Sequence, residues 1–236
     1  LKEVSFKLKP GETLAIAGRT GSGKTTLAQL VMRFFDPESG TVRVDGVDLK
    51  DWPLESYREA IGYVPQEVFL FSDTIAQNIQ FGLHRSNESE DVLWKRMEQS
   101  AEQAAIHDSI LEFAKGYQTR LGERGITLSG GQKQRISIAR AIIKEPALLI
   151  FDDCLSAVDT ETEEKILGHL RNIMKNRSTL LISHRVSTLK DADRILVLDD
   201  GKVTEEGSHE TLLASGGLYA EMYERQQREN QKSKGA

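Results

Sequence analysis

The chain has 236 residues, of which 39% are hydrophobic and 28% charged, a composition that supports a buried core and excludes intrinsic disorder. Its formal net charge of −5 argues against a nucleic-acid partner, and its single cysteine excludes an internal disulfide framework and fits a reducing, cytosolic setting. No apolar run reaches the roughly 18–20 residues of a membrane-spanning helix, and early charged residues interrupt any secretory signal.

The N-terminal part of the chain predicts two strands and a helix. Val4, Phe6 and Leu8 alternate with polar residues, as the side chains of a half-buried strand do. Thr13–Ala17 is short and apolar enough for a strand that is buried on both faces. After a glycine-rich stretch, Thr25–Phe34 predicts a helix.

A hairpin, a further strand and a helical region are predicted next. Thr41–Val44 followed by Asp45-Gly46 is typical of a hairpin, and Ile61–Val64 is typical of a short strand. From about Asp73 onward, apolar residues recur at helical spacing. This stripe predicts the core face of a small helical subdomain and consists of Leu93, Met97, Ala101 and Ala104.

The second half of the chain alternates helices with strands. A helix is predicted over Gln132–Lys144, where Pro146 stops it, and the polar residues 226–236 predict a frayed tail. Strands that alternate with helices indicate an α/β fold, with a mostly parallel sheet covered by helices on both faces. The elements concerned are the strands Leu148–Phe151, Ser178–Ser183 and Arg194–Leu198 and the helix Glu161–Met174.

The glycine-rich stretch Gly18–Thr25 fits the phosphate-binding P-loop at every required position. It lies between a predicted buried strand and a predicted helix, as the motif requires. Glycines let backbone N–H groups turn toward phosphate oxygens, and the helix adds the positive end of its dipole. We expect Lys24 to reach the β- and γ-phosphates and Thr25 to bind Mg²⁺. The predicted nucleotide-binding residues are Gly18, Arg19, Thr20, Gly21, Ser22, Gly23, Lys24, Thr25 and Thr26.

A carboxylate for Mg²⁺ is predicted at Asp152. The apolar run Leu148–Phe151 ends in this acid, and at the carboxyl edge of a parallel sheet such a residue faces the ligand crevice. A lone aspartate at a strand end is more often a helix cap, but the P-loop favours the metal role. The predicted cofactors are therefore ATP and Mg²⁺.

A second helix start, Leu128-Ser129-Gly130-Gly131-Gln132, presents another N-terminus that can bind an anion. Alone, a Ser-Gly-Gly turn is more often an ordinary helix start. Followed by Lys133-Gln134-Arg135, however, these five residues resemble the signature motif of the ATP-binding cassette (ABC) family. The resemblance covers nearly the whole chain, with Gly18–Thr25 as Walker A and Leu148–Asp152 as Walker B.

Further site residues are assigned by this resemblance alone. Gln66, after Tyr63-Val64-Pro65, matches the Q-loop glutamine, which in the family touches Mg²⁺ and senses the membrane domain. His184 matches the switch histidine that contacts the γ-phosphate, and Asp159 resembles the D-loop residue at the dimer interface. The resemblance implies catalytic roles for Asp153, His184 and Gln66 and binding of Mg²⁺ by Thr25, Gln66 and Asp152.

The resemblance also implies a fold and its division. We expect a RecA-like P-loop NTPase core with a small antiparallel β subdomain and an inserted α-helical subdomain. Residues 1–236 then form one ATP-binding domain. Within it, 1–72 and 145–225 are the core with the β subdomain, 73–144 the helical subdomain with the signature, and 226–236 a polar tail.

In the ABC family two such domains close head to tail, and each ATP lies between one chain's Walker A and the other chain's signature. ATP holds the dimer together, and hydrolysis reopens it, which drives attached transmembrane domains. The implied partners are a second ABC ATP-binding domain and transmembrane domains, with no nucleic acid, at the cytoplasmic side of the cell membrane. The second anion-binding helix start is thereby explained, because its nucleotide belongs to the partner chain.

Two segments favour an exporter. Leu121–Gly125 resembles the stretch with which exporter cassettes contact coupling helices, and Gly207–Glu210 is exporter-like as well. In such exporters the membrane domain precedes the cassette, which fits a chain that opens at Leu1 inside an alternating pattern, as a fragment would. The adenine-stacking aromatic of the family usually lies just upstream of this point, so we expect adenine binding to be weakened.

The chain departs from the family pattern at Asp153, where a glutamate normally orients the attacking water. Aspartate is one methylene shorter, and a misplacement of roughly an ångström can cost about 10²-fold in rate. We therefore expect a low intrinsic ATPase rate. Either the chain is a slow homodimer, or it is the impaired half of a heterodimer whose intact signature completes the partner's site, and we favour the heterodimer.

Two other functions stay open. A nucleotide-gated dimerisation module would associate around ATP and scarcely hydrolyse it, so turnover and ATP-dependent association separate it from a motor. A soluble ABC ATPase acting on DNA or ribosomes is disfavoured, because those chains usually carry long coiled-coil insertions or tandem cassettes.

Overall fold

A computed structural model of the chain describes residues 1–83, 88–122, 128–155, 160–175 and 177–234. Its strands are β1 (Thr13–Gly18), β2 (Arg43–Val44), β3 (Val47–Asp48), β4 (Ile61–Val64), β5 (Leu148–Asp152), β6 (Ser178–Ile182), β7 (Arg194–Asp199) and β8 (Lys202–Gly207). Its α-helices are α1 (Lys24–Val31), α2 (Leu54–Glu59), α3 (Ile75–Gln80), α4 (Glu90–Gln103), α5 (His107–Leu111), α6 (Gly130–Ile142), α7 (Thr160–Met174), α8 (Val186–Leu189), α9 (His209–Ser215) and α10 (Leu218–Lys234).

The chain divides into two compact units. The first comprises residues 1–58, 150–153 and 176–236, and the second comprises 59–149 and 154–175. Strand β5 begins in the second unit and ends in the first. The sequence-based boundaries at 72/73 and 144/145 remain a proposal about subdomains.

In the first unit the strands follow the order β5-β6-β1-β7-β8. Strand β1 is parallel to both β6 and β7, so that Ile16 lies opposite Ile182 on one side and Leu196 on the other, while β8 is antiparallel to β7. The side chains of β1 are fully buried, as a central parallel strand requires. The predicted α/β fold with a mostly parallel sheet is confirmed, and the carboxyl ends of its strands form the edge where ligands bind.

A two-stranded antiparallel sheet, β2 and β3, accompanies the larger sheet in the first unit. Asp45 and Gly46 join its strands with φ angles of 52° and 82°, the left-handed pair that a tight hairpin turn needs. The predicted strand around Val4, Phe6 and Leu8 is not formed. These side chains are half-buried and their neighbours mostly exposed, so the alternation is real, but the segment enters no ladder of the described chain.

The second unit holds β4, which lies beside the start of β5, and the helices α3 to α7. Met97 and Ala101 of the predicted helical stripe are fully buried. A part-buried polar pair connects α6 to α3: Arg140 donates from Nε to the Asn78 carbonyl at 2.8 Å and from a terminal nitrogen to the Asn78 Oδ1 at 2.7 Å. Burial lowers the pKa of Arg140 to about 10.

The predicted frayed tail is wrong as far as Lys234, because α10 continues through it. Ion pairs at helical spacing, Arg225–Glu229 and Arg228–Glu224, support this exposed helix, and Gln226 is bonded to the body of the first unit. Among the described residues, no helix combines the length and the apolar character that crossing a membrane requires.

Candidate nucleotide site

The P-loop joins β1 to α1 at the carboxyl edge of the sheet. Gly18, Gly21 and Gly23 have φ angles of 150°, 82° and 102°, a region that side chains with a Cβ rarely adopt. At Gly18 an added Cβ would also meet the carbonyl oxygen of Leu198 and the hydroxyl of Ser22. Glycine is therefore needed at Gly18 both for the backbone conformation and for the close approach of β7.

The start of α1 carries polar groups that side chains of the described residues do not satisfy. Gly23 is the N-cap of this helix, and no side chain caps it. The Ser22 hydroxyl is buried, with its residue 5% exposed, and it has no hydrogen-bond partner in the described chain. An unsatisfied buried hydroxyl costs about 1–3 kcal/mol, and helix N-termini bind anions, so this terminus fits a phosphate group.

Lys24 folds back over the loop. Its Nζ donates to the carbonyl oxygens of Gly18 and Arg19, each at 2.8 Å. Burial lowers the pKa of Lys24, and the charges of Asp153 and Asp152 act against that change. The ammonium group thus lies at the P-loop, close enough to be influenced by both acids.

Thr25 and Asp152 bring two hard oxygen ligands together. The Thr25 hydroxyl donates to Asp152 Oδ1 at 3.2 Å, and Asp152 is 1% exposed at the end of β5. Among the described residues no cluster of three or more acidic, histidine or cysteine side chains forms a protein-only metal cage. Mg²⁺ is usually bound by one or two carboxylates together with phosphate oxygens, so this donor pair fits Mg²⁺.

Asp153 and His184 form a direct pair. His184 Nδ1 lies 2.7 Å from Asp153 Oδ2, and the Ser183 hydroxyl donates to Asp153 Oδ1 at 3.2 Å. Burial acts to raise the pKa of Asp153, but the hydrogen bonds from His184 and Ser183 and the His184 charge bring it below its usual value. The carboxylate is therefore ionised and held in place by its neighbours.

The remaining P-loop residues lie mostly at the surface. Thr20 is exposed and Thr26 is half-buried, while Arg19 pairs with Glu221 of α10 at 3.3 Å. The structure thus brings the P-loop, Asp152, Asp153 and His184 into one unit. Nothing in the local sequence indicated the contacts of Ser183 and Glu221, because their partners lie far away along the chain.

Gln66 and the signature belong to the second unit. Gln66 lies two residues after the end of β4, and Ser129 is the N-cap of α6. The Ser129 hydroxyl accepts the Gln132 N–H at 3.2 Å, and Gln132 Oε1 accepts the Ser129 N–H at 3.0 Å. This reciprocal capping box satisfies two helix-start donors internally. Asp159 and residues 123–125 of the exporter-like segment lie outside the described residues.

Comparison with known proteins agrees with this arrangement. The ABC transporter family model matches residues 1–156. ATP-binding cassette sub-family B member 6 of Mus musculus is 47% identical over 96% of this chain and 26% of its own length. The uncharacterized ABC transporter ATP-binding protein YknV of Bacillus subtilis is 47% identical over 93% of this chain and 35% of its own length. A solved bacterial Atm1-family ABC exporter with ATP bound has a TM-score of 0.85 and 47% identity over 92% of this chain and 37% of its own.

The chain therefore spans between a quarter and two fifths of the length of these relatives. The residues matched by the family model include the P-loop, whose geometry fits a phosphate group. The chain belongs to the ABC transporter family, as an ATP-binding domain of the exporter type.

Proposed function

We propose that this chain is the ATP-hydrolysing motor domain of an ABC exporter, which binds MgATP at the P-loop and drives attached transmembrane domains. The observation that carries the proposal is the helix start at Gly23, with its buried Ser22 hydroxyl, beside the Thr25–Asp152 pair. Phosphate oxygens would satisfy the first group, and the second would hold Mg²⁺, which when bound neutralises phosphate charge.

Lys24 and the loop glycines bind and orient the phosphates. On nucleotide binding, the Lys24 ammonium exchanges its carbonyl partners at Gly18 and Arg19 for phosphate oxygens, which form stronger charge-assisted hydrogen bonds. Because phosphoryl transfer demands little covalent chemistry from the protein, this alignment and charge neutralisation are the main catalytic contributions.

Asp153 orients the attacking water less well than a glutamate would. Its carboxylate is one methylene short and is held back by Ser183 and His184. The lowered pKa also makes it a weaker proton acceptor. Slow turnover follows from both causes, and His184 would contact the γ-phosphate as the switch histidine of the family does.

The signature acts on the nucleotide of a second ABC ATP-binding domain. Ser129 and Gln132 satisfy each other in the separate chain, so this helix start gains a phosphate only when a partner presents one. The partner is an identical chain or, as we favour, a different subunit with a complete glutamate. Gln66 would join the Mg²⁺ ligands and report on the transmembrane domains, and Asp159 would cross the dimer interface.

Transmembrane domains are the second class of partner. The relatives to which the chain is similar are about three to four times longer, and the similar solved structure is that of an exporter. Membrane segments joined to this domain would carry the specificity for the transported substrate. The domain would then work at the cytoplasmic face of the membrane.

A second candidate function is favoured by the Asp153–His184 pair. If the short carboxylate stays bound to His184 when ATP is present, the chain would dimerise around nucleotide without hydrolysing it. It would then act as a nucleotide-gated regulatory half rather than as a motor.

The steady-state Mg-ATPase rates of the chain and of Asp153→Glu separate these functions, with Lys24→Ala as the blank. The protein must be concentrated enough to form dimers, and ATP binding is measured separately. We expect a nearly silent parent and about 10²-fold faster turnover in Asp153→Glu. A parent rate of about one per second would favour a homodimeric motor with a competent Asp153. ATP-dependent association with no turnover in either protein would favour the regulatory half, and no ATP binding would refute both functions.

A further inference from the structure

Helix α10 contacts two parts of the nucleotide site. Near its start, Glu221 pairs with Arg19 of the P-loop at 3.3 Å. Further along, Gln226 Oε1 accepts the N–H of Val186 at 2.7 Å, and Gln226 Nε2 donates to the Ser187 hydroxyl at 2.9 Å. The Glu221 pair is largely exposed and contributes little energy, so the contacts of Gln226 are the ones that matter.

Gln226 supplies a cap that α8 lacks. The first N–H groups of a helix have no partner within the helix, and the side chain of Arg185, the N-cap residue of α8, does not cap them. Val186, the first residue of α8, is fully buried, so its N–H needs an acceptor from elsewhere. The Gln226 amide provides this acceptor across 40 residues of sequence.

The capped helix start is directly linked to the switch histidine. His184 precedes Val186 by two residues, and the Arg185 N–H between them donates to the Ser183 hydroxyl at 3.0 Å. That hydroxyl in turn donates to Asp153. The backbone that presents His184 to Asp153 is thus fixed on one side by Ser183 and on the other by Gln226.

Helix α10 is itself firmly held near its first turn. Tyr219 is fully buried, and its hydroxyl lies 2.9 Å from Nδ1 of His209. The Glu205 carboxylate accepts the Leu218 N–H at 2.5 Å. Gln226 therefore extends from an anchored helix and can hold the start of α8 in one position.

We infer that Gln226 is a positioning residue for ATP hydrolysis, which acts by capping α8 and thereby holding His184 against Asp153. This inference rests on the proposed ATPase function. Loss of the cap moves the histidine and slows the chemical step, while the P-loop contacts that bind the nucleotide stay in place. The expected signature is a lower kcat with an unchanged KM.

The first test compares Gln226→Met with Gln227→Met. Methionine has nearly the length of glutamine but lacks the amide, and Gln227 is an exposed neighbour on the same helix. We expect Gln226→Met to lower kcat by roughly ten- to a hundredfold, since small misplacements near the chemistry have effects of this size. Gln227→Met leaves kcat unchanged. Gln226→Glu retains an acceptor for the Val186 N–H and restores much of the turnover.

A double-mutant cycle with His184→Ala separates positioning from a general loss of structure. If Gln226 acts through the histidine, Gln226→Met adds no further loss of kcat once His184 is removed. Rates are measured in the Asp153→Glu background if the parent is too slow to follow.

A second readout does not need turnover. The ring carbon resonance of His184, assigned by its absence in His184→Ala, should shift in Gln226→Met and stay in place in Gln227→Met. An unshifted resonance in Gln226→Met, or a loss of kcat that is additive with His184→Ala, would overturn the inference. No turnover in either the parent or Asp153→Glu, together with a shifted resonance, would refute the ATPase function and leave the positioning contact intact.

Discussion

The chain has two helix starts that the sequence marks as anion sites, and they differ in how they are satisfied. Helix α1 begins at Gly23 with no side-chain cap, and the buried Ser22 hydroxyl beside it has no hydrogen-bond partner among the described residues. Helix α6 begins at Ser129, which exchanges hydrogen bonds with Gln132. We call the first terminus open, because no side chain caps it, and the second terminus closed, because its capping box bonds two N–H groups internally.

This difference predicts which helix start contacts a nucleotide in a single chain and which one does so only in a dimer. The open terminus can bind phosphate in a single chain, because no side chain caps it and the Lys24 ammonium can exchange its two carbonyl partners for phosphate oxygens. The closed terminus must exchange its internal hydrogen bonds for those of a nucleotide, and it gains little unless a partner chain delivers the phosphate in place. The signature therefore suits a late, dimer-dependent contact, whereas the P-loop suits the first contact.

The largest expected effect comes from removing the ammonium group at the open terminus. Lys24→Ala should weaken MgATP binding by about a hundredfold, because hydrogen bonds to charged groups contribute roughly 1.5–3 kcal/mol each. Lys133→Ala, beside the start of α6, is the matched control and should leave the affinity of the isolated chain unchanged. Titration calorimetry of both variants checks this, and equal losses would remove the distinction between the two termini.

Smaller effects, on Tm in the absence of nucleotide, are expected for serine substitutions. They should differ between the two helix starts. Ser129→Ala removes the cap of α6 and should lower the free energy of unfolding by about 1 kcal/mol, or about 2–4 °C in Tm. Ser22→Ala removes a buried hydroxyl that has no partner, so Tm should stay constant or rise. Thermal unfolding followed by circular dichroism provides both values. A clear fall in Tm for Ser22→Ala would mean that this hydroxyl is already satisfied.

With MgATP added, the nucleotide-induced rise in Tm should differ from that of the parent in Ser22→Ala but not in Ser129→Ala. Ser22→Ala should show a smaller nucleotide-induced rise in Tm than the parent, because a phosphate contact is missing. Ser129→Ala should show the full rise in dilute solution, since its site needs a partner chain. The nucleotide-induced shift thus distinguishes a role in binding from a role in folding.

The parts of the fold that could be predicted are those governed by local rules. The P-loop glycines, the strand ending in Asp152 and the hairpin turn at Asp45-Gly46 each depend on neighbouring residues, and all appear in the structure. The capping box of Ser129 and Gln132 also has a local signal, serine followed three residues later by glutamine. That signal predicts that two N–H groups at the start of α6 are already hydrogen-bonded within the chain.

Other features depend on distant residues and gave no usable signal. Strand β8 is polar, with alternating half-buried and exposed residues at the edge of the sheet, and such strands lack the apolar run that marks a central strand. Gln226 lies in a stretch that reads as a polar tail, and only the folded chain shows its bond to Val186. The Asp153–His184 pair likewise joins two strand ends that are 31 residues apart.

The most direct test of the difference between the two helix starts is the number of MgATP molecules that one chain binds when it is monomeric. Titration calorimetry at protein concentrations below dimer formation should give one nucleotide per chain, with the same stoichiometry and affinity in Ser129→Ala. That result would mean that the open terminus of α1 binds ATP by itself and that α6 contributes only in a dimer. Two nucleotides per chain, or binding that is lost in Ser129→Ala, would contradict this division between the helix starts of α1 and α6.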